Sequence, residues 1–192
     1  KCRSASEGVG KALPVLLTSR FRLRPLERRD QAFYASIYTD EALMRFVGKP
    51  MTQAAAENAF HAFLQSNRRG DLHRACCWVV EDGAAGPTPV GLLALLPHAA
   101  AAEIGVMVVD AWQGRKVAQE TIGFLSGYLF DHSGWTRTFS RHVRANDAGA
   151  GVMRRLGFRE MREVPGGSAF RGWEMTSEAW LARDGAAGRM SA

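Results

Sequence analysis

The 192-residue chain, 46% hydrophobic and 23% charged, suits one core-forming domain and is too short for two comfortable ones. A formal net charge of +6 suits an anionic partner, whether nucleic acid, an acidic protein or a phosphorylated cofactor, without choosing among them. No apolar run approaches the ~20 residues of a membrane span, and residues 1–11 lack the apolar centre of a secretory signal. Cys2, Cys76 and Cys77 are odd in number and lack zinc-ligand spacing, which points to a reduced, cytoplasmic protein with no metal site.

Residues 1–15 read as a flexible lead-in. Residues 20–25 alternate Phe21 and Leu23 with arginines, the pattern of a half-buried strand. A short helix is expected over 29–38. Thr52 is placed to cap a second helix reaching about Asn67, with Phe60, Phe63 and Leu64 on one face. Strands follow at 74–81, 89–96 and 103–109, the first two joined by a Gly- and Ala-rich loop over 82–88. Adjacent Cys76 and Cys77 then face opposite sides of their strand. The third strand is the most continuously apolar, hence central and covered on both faces.

A helix is expected from about Gly114 to His132, because Ala118, Ile122, Leu125 and Leu129 recur as one apolar stripe. A strand over 138–143 precedes a helix capped by Asn146, running through Leu156 and ended by Gly157. Strands at 158–164 and 169–175 close the pattern around Pro165-Gly166-Gly167. A helical turn or more follows over 177–182, and 184–192 reads as a tail. The order of elements is that of a single mixed α/β (α+β) domain over 16–183.

The informative segment is 102–120. A buried strand ends at Asp110, a short turn passes through Trp112, and a helix starts near Gly114. The first turn of a helix has free N–H groups and partial positive charge, so it can receive a pyrophosphate. Gly114 removes a side chain where a ligand must come close, and Arg115 and Lys116 add cationic reach.

Gln113-Gly114-Arg115-Lys116-Val117-Ala118 resembles the acyl-CoA loop of the GNAT acetyltransferase superfamily, Gln/Arg-x-x-Gly-x-Gly/Ala after a strand. Lys116 stands where the family's middle Gly is usual. The position is expected to be helical with negative φ, so the replacement should cost little. Downstream, Asn146-x-x-Gly149-x-x-Val152 leading to Leu156-Gly157-Phe158 resembles the family's next helix. Upstream, residues 17–26 resemble the opening strand of its RimJ/RimL-like branch, the ribosomal-protein N-terminal acetyltransferases. The matches occur in order and span most of 17–163.

The resemblance implies a mostly antiparallel central sheet whose central strands splay apart, flanked by helices. The strands ending near Asp110 and Val143 would form the V. Backbone groups of Val106, Met107 and Val108 would pair with the pantetheine arm of acetyl-CoA, with Gln113, Gly114, Arg115, Lys116, Val117 and Ala118 at the pyrophosphate. Asn146 would support the arm, serve as a plain N-cap, or do both. Homodimers are common in such families, but no interface signal is visible in this sequence.

Transfer from a thioester to an amine needs a neutral amine, a donor for the thioester oxygen, and a fate for the leaving thiolate. A backbone N–H near Met107 or Val108 is the expected donor. Proximity makes a covalent nucleophile unnecessary. Glu103 is the first candidate base, with a strand-end carboxylate paired to an arginine as the competing reading. His142, on the other arm of the V, is the second, and His98 and His73 rank below it. Relatives place a Tyr or Ser acid where this chain has Met153 or Gly149. Tyr128 reads as core.

Phe33, Tyr34, Tyr38, Phe46 and Trp173 are candidates for an aromatic acceptor cleft. The expected activity is acyl transfer from acyl-CoA to a primary amine on a small molecule or protein N-terminus. Alternatives are a non-CoA donor such as aminoacyl-tRNA, or a non-catalytic acyl-CoA- or RNA-binding module. Nucleic acid is permitted by the charge but not favoured.

Overall fold

The computed structural model describes residues 12–83 and 87–189. Strands β1 (Leu16–Leu17) and β2 (Phe21–Pro25) lead through a 3-10 turn at Arg28–Asp30 into helices α1 (Gln31–Tyr38), α2 (Glu41–Met44) and α3 (Gln53–Asn67). Strands β3 (Cys76–Asp82), β4 (Thr88–Pro97) and β5 (Ala102–Val108) follow. A 3-10 turn at Asp110–Trp112 leads into α4 (Val117–His132), then β6 (Arg137–Val143) and α5 (Asp147–Arg155). The chain closes with β7 (Arg159–Glu160), β8 (Phe170–Thr176) and α6 (Ser177–Arg189).

Among the described residues the strands form one eight-stranded sheet in the order β1-β2-β3-β4-β5-β6-β8-β7. Its neighbours run antiparallel except β5 and β6. The architecture is therefore the mixed α/β, mostly antiparallel one expected, with helices on both faces.

Strand alternation divides the core into two layers. Cys76, Trp78 and Val80 face a cluster that includes Val117, Ile122, Leu125 and Leu129 of α4 with Ala150 and Met153 of α5. Cys77 and Val79 face the opposite cluster with Tyr34, Ile37 and Phe60 of α1 and α3. The two cysteines are free and buried, on opposite faces as their adjacency requires. Burial of a side chain such as Phe60 is worth about 2 kcal/mol.

Caps set most helix ends. Thr52 Oγ1 accepts the Ala55 N–H at 3.2 Å, and Asn146 Oδ1 accepts the Gly149 N–H at 2.8 Å. Gly157 follows α5 with φ +76°, the left-handed stop that glycine adopts without steric cost. The sequence reading passes over α2, a single turn capped by Asp40 through the Leu43 N–H. The strand expected over 158–164 shrinks to Arg159–Glu160, because Arg162 and Glu163 bend away on an exposed edge. Helix α6 runs past the expected boundary at residue 183 to Arg189. The expected lead-in is also shorter: Leu13 is buried and the Pro14 carbonyl accepts the Trp78 indole N–H at 3.0 Å. Residues 1–11, part of the 82–88 loop and the last residues of the tail lie outside the described residues.

One buried ion cluster ties β2 and β3 to the entry of α1. Arg24, 3% exposed, donates to both Asp30 oxygens at 2.6 and 2.7 Å and to Glu81 at 2.6 Å. Arg22 reaches the second Glu81 oxygen at 2.8 Å. Removing one partner of a buried pair leaves charge without compensation. Asp30→Asn should therefore lower the unfolding free energy by about 3 kcal/mol, read from urea denaturation; a loss below ~1 kcal/mol would show that Glu81 alone satisfies Arg24.

Candidate functional site

Strands β5 and β6 share only two paired positions, Ala102↔Thr138 and Glu103↔Phe139. Beyond them the strands diverge, and Ser140 Oγ closes the apex by donating to the Ile104 carbonyl at 2.7 Å. A cleft of about 690 Å³ opens there, within the range of small-molecule sites. It crosses the sheet, with α1–α3 residues lining one side and α4 and α5 residues the other.

Backbone polar groups alternate sides along a strand. The Val109 N–H donates to Val90 on β4, while the Ile104 carbonyl faces β6. Residues 104, 106 and 108 therefore turn their N–H and C=O groups into the V, and Met107 turns its own toward β4. This corrects one expectation: the Val106 and Val108 N–H groups are available as donors in the cleft, and the Met107 N–H is not. The Val108 carbonyl already accepts from Gln113 Nε2 at 3.2 Å. The same amide reaches Asp110 at 2.9 Å, which holds the turn shut.

The turn before α4 departs from expectation. The helix begins at Val117 rather than Gly114, and Lys116 is its N-cap at φ 63°, ψ 16°. It is the one non-glycine residue with positive φ among those described, so the expected negative φ is wrong. The left-handed conformation costs a side-chain-bearing residue about 1 kcal/mol. Gly114 also has positive φ, +74°, and a Cβ there would meet nothing within 4 Å; its requirement is conformational rather than steric.

Among the described residues the N–H groups of Gly114, Arg115, Lys116, Val117 and Ala118 meet no acceptor. Successive free N–H groups around a left-handed turn at a helix N-terminus form an anion-binding nest. The residues present thus fit a pyrophosphate. Arg115 adds less than expected, since its guanidinium stacks on the Trp112 ring at 5.0 Å and does not line the cleft. Arg155 of α5 lines it instead; the sequence held no periodic or motif signal for that role.

A clamp braces this turn from outside. The Glu120 carboxylate accepts from Thr18 Oγ1, Ser19 Oγ, the Arg20 N–H and Arg20 Nε at 2.6–2.9 Å. Arg20 Nη2 also donates to the Arg115 carbonyl at 3.1 Å. Burial raises the Glu120 carboxyl, but the bonds from Thr18, Arg20 and Ser19 outweigh it and hold it below the usual carboxylate range.

Both candidate bases line the cleft, on opposite sides of the sheet. Glu103 shares a face with Gly105 and Met107, toward α1–α3. Its carboxylate accepts from Arg141 Nε at 2.9 Å and lies 2.9 Å from His98 Nε2. The arginine pairing weighed as the competing reading is thus present. His98, ranked low in the sequence, is brought in by the β4–β5 hairpin, where its N–H donates to the Ala101 carbonyl. Pairing the two strands as a hairpin is the signal that finds it. His142 faces α5 and is 7% exposed. Its Nδ1 donates to the Val143 carbonyl at 2.9 Å, and its Nε2 accepts the Trp173 indole N–H at 3.0 Å. The bonds define the neutral Nδ1–H tautomer and leave no free lone pair for a substrate proton.

The same packing explains the missing side chain at Gly149. A Cβ there would lie 2.9 Å from Asn146 Nδ2 and 3.1 Å from His142 Cδ2. Asn146 is an N-cap whose Nδ2 meets no acceptor among the described residues, so its second expected role stays open to it. Tyr34, Tyr38 and Phe46 line the cleft, joined by Phe63 and Phe170, while Phe33 and Trp173 do not. Burial pushes both the Tyr34 and Tyr38 phenols up, so both stay protonated at neutral pH. Burial pushes the Cys76 thiol up to about 12 and raises Cys77 further, which makes both inert as nucleophiles. Among the described residues no His/Cys/Asp/Glu group could hold a metal, and no helix is long and apolar enough to cross a membrane.

A family model described as an acetyltransferase (GNAT) domain matches residues 20–159. No match is found among curated protein sequences. Solved structures of similar fold include an acetyltransferase from Agrobacterium tumefaciens, with TM-score 0.75 and 20% identity over 90% of this chain and 100% of that one. A spermidine N-acetyltransferase from Vibrio cholerae in complex with CoA and spermine gives TM-score 0.70 and 19% identity over 85% and 99%. RimL, a ribosomal L7/L12 α-N-protein acetyltransferase in complex with CoA, gives TM-score 0.68 and 17% identity over 88% and 99%.

The strain at Lys116 is testable apart from activity. Lys116→Gly should raise the unfolding free energy by about 1 kcal/mol, measured by denaturant or thermal unfolding. A neutral or negative change would mean that the Lys116 side chain makes contacts worth as much as the strain.

Proposed function

Because the chain belongs to the GNAT acetyltransferase family, we propose that it moves an acetyl group from acetyl-CoA to a primary amine on a small molecule or a protein N-terminus. The observation that carries this is the juxtaposition of a through-sheet cleft with a nest of free N–H groups at its rim. The nest from Gly114 to Ala118, with Lys116, would hold the pyrophosphate. The free edge of Val106 and Val108 would align the pantetheine arm like an added strand, with Asn146 Nδ2 at its side. When bound, acetyl-CoA supplies an activated thioester carbonyl. The Val106 and Val108 N–H groups are the donors placed to polarise an oxygen in the V.

Glu103 is the group on the opposite face that would take the amine's proton, directly or through water. Its contact with half-exposed His98 offers that proton a route to solvent, and the bond from Arg141 orients the carboxylate. His142 would act by packing and by holding Trp173, not as the base. No fixed acid stands at Met153 or Gly149, so the departing thiolate would take its proton from water.

The spermidine N-acetyltransferase acts on a polyamine and RimL on a protein N-terminus, which supports an amine acceptor without separating those kinds. The opening strand at 17–26 favours the RimJ/RimL-like branch. Free, buried Cys76 and Cys77 suit a reducing, cytoplasmic setting. No observation singles out an aminoacyl-tRNA donor: the charged lining of the cleft is confined to a few side chains, among them Lys116, Arg141 and Arg155.

Glu103→Gln should lower kcat at least tenfold while leaving the CoA Kd, by titration calorimetry, within about twofold. Retained kcat would remove Glu103 as the base. Absence of CoA binding by the unaltered protein, with salt-sensitive RNA binding in its place, would overturn the proposed function itself.

A further inference from the structure

The two ends of the cleft differ in chemistry. The α4–α5 side carries the nest, Lys116 and Arg155; the α1–α3 side is built of Tyr34, Tyr38, Phe46, Met51 and Phe63. The nest assigns the first side to the cofactor, so the acceptor enters from the second. Its floor is β5, where Gly105 lies between Glu103 and Met107 and a Cβ would meet nothing within 4 Å. The Phe46 carbonyl accepts the Val143 N–H at 3.1 Å, which fastens the α2–α3 loop to the end of β6 as one wall. Phe170 stands opposite, with the Arg141 guanidinium 5.2 Å from its ring centre.

Charge on this side is sparse. Glu103 is the one carboxylate lining the described cleft, and Arg141 and His98 already engage its two oxygens. Arg141 is further held by the Pro165 carbonyl at 2.7 Å. At the rim the Arg45 guanidinium lies 4.5 Å from the Phe46 ring centre, adding positive charge. A second ammonium on the acceptor would therefore enter a pocket whose one carboxylate is already engaged by Arg141 and His98, with the Arg45 guanidinium beside Phe46. Burying an unpaired charge in such surroundings is strongly unfavourable. An apolar body would instead gain by covering the aromatic walls.

Resting on the acetyl-transfer reading above, we infer that the acceptor is a primary amine on an apolar, aromatic-sized body with no second cation. The sparse negative charge of the pocket disfavours polyamines. An arylalkylamine and a peptide with an aromatic first residue share this chemistry, and the pocket walls recognise that shared part.

The test measures thiol release from acetyl-CoA with 2-phenylethylamine, a short neutral peptide beginning with Phe, and spermidine. The expected result is a kcat/KM for 2-phenylethylamine or the peptide at least tenfold above that for spermidine. Whichever of the two is faster identifies a small-molecule or chain-terminal source. Spermidine equal to or better than both overturns the acceptor class and leaves the reaction standing. No release with any amine, despite CoA binding by calorimetry, overturns the reaction and the acceptor class together. Met51→Glu, on the pocket wall, should shift the ratio at least tenfold toward spermidine. An unchanged ratio in a variant with unaltered thermal unfolding would show that this wall does not meet the acceptor, and would also overturn the assignment.

Discussion

The divergence of β5 and β6 is the constraint on which the rest of the molecule depends. Two parallel pairs join them, and then each strand continues with its inner edge unpaired. An unpaired strand edge inside a sheet is ordinarily a defect, because buried N–H and C=O groups need partners. Here Ser140 takes the Ile104 carbonyl and Gln113 takes that of Val108, so the edge is trimmed at both ends. What remains between them is a short stretch of open backbone that a ligand can pair as a strand would. The same divergence perforates the sheet, which is why one cleft reaches both helical layers.

The turn at the rim shows how a local cost is held in place by the fold. Lys116 adopts a conformation that glycine takes freely and lysine resists. It persists because both flanks are fixed. Val117 is buried at the start of α4, while Arg20, itself held by the Glu120 carboxylate, donates to the Arg115 carbonyl from outside. The result is a curl of free N–H groups at the start of α4.

Polar groups near the apex are used economically. His142 spends both ring nitrogens on Val143 and Trp173, and its ring fills the space a side chain at position 149 would occupy. Glu103 is the carboxylate that remains against the acceptor side, and its partners differ in kind. Arg141 is a permanent cation; His98, nearer solvent, can exchange a proton. Buried thiols and phenols around them are held protonated by desolvation. The α1–α3 side of the cleft is thus nearly free of charge except at one carboxylate and its neighbours.

Much of this was legible in the sequence. Apolar periodicity placed α3, α4 and β3 to β5, because burial of one face writes a period of 3.6 or 2 directly into the chain. Thr52, Asn146 and Gly157 marked helix ends because capping is chemistry between residues three or four apart. The loop at 113–118 pointed to the turn of free N–H groups before α4 for the same local reason. What the sequence could not determine was anything requiring residues far apart to meet. The backbone sign at Lys116 depends on the clamp from Arg20 across about a hundred positions. The side of the strand to which the Met107 N–H turns depends on its pairing with β4. The idle state of His142 depends on Trp173, and the engagement of Glu103 on Arg141, each more than thirty residues distant. Local physics located the site; tertiary contacts decided which of its atoms are free to act.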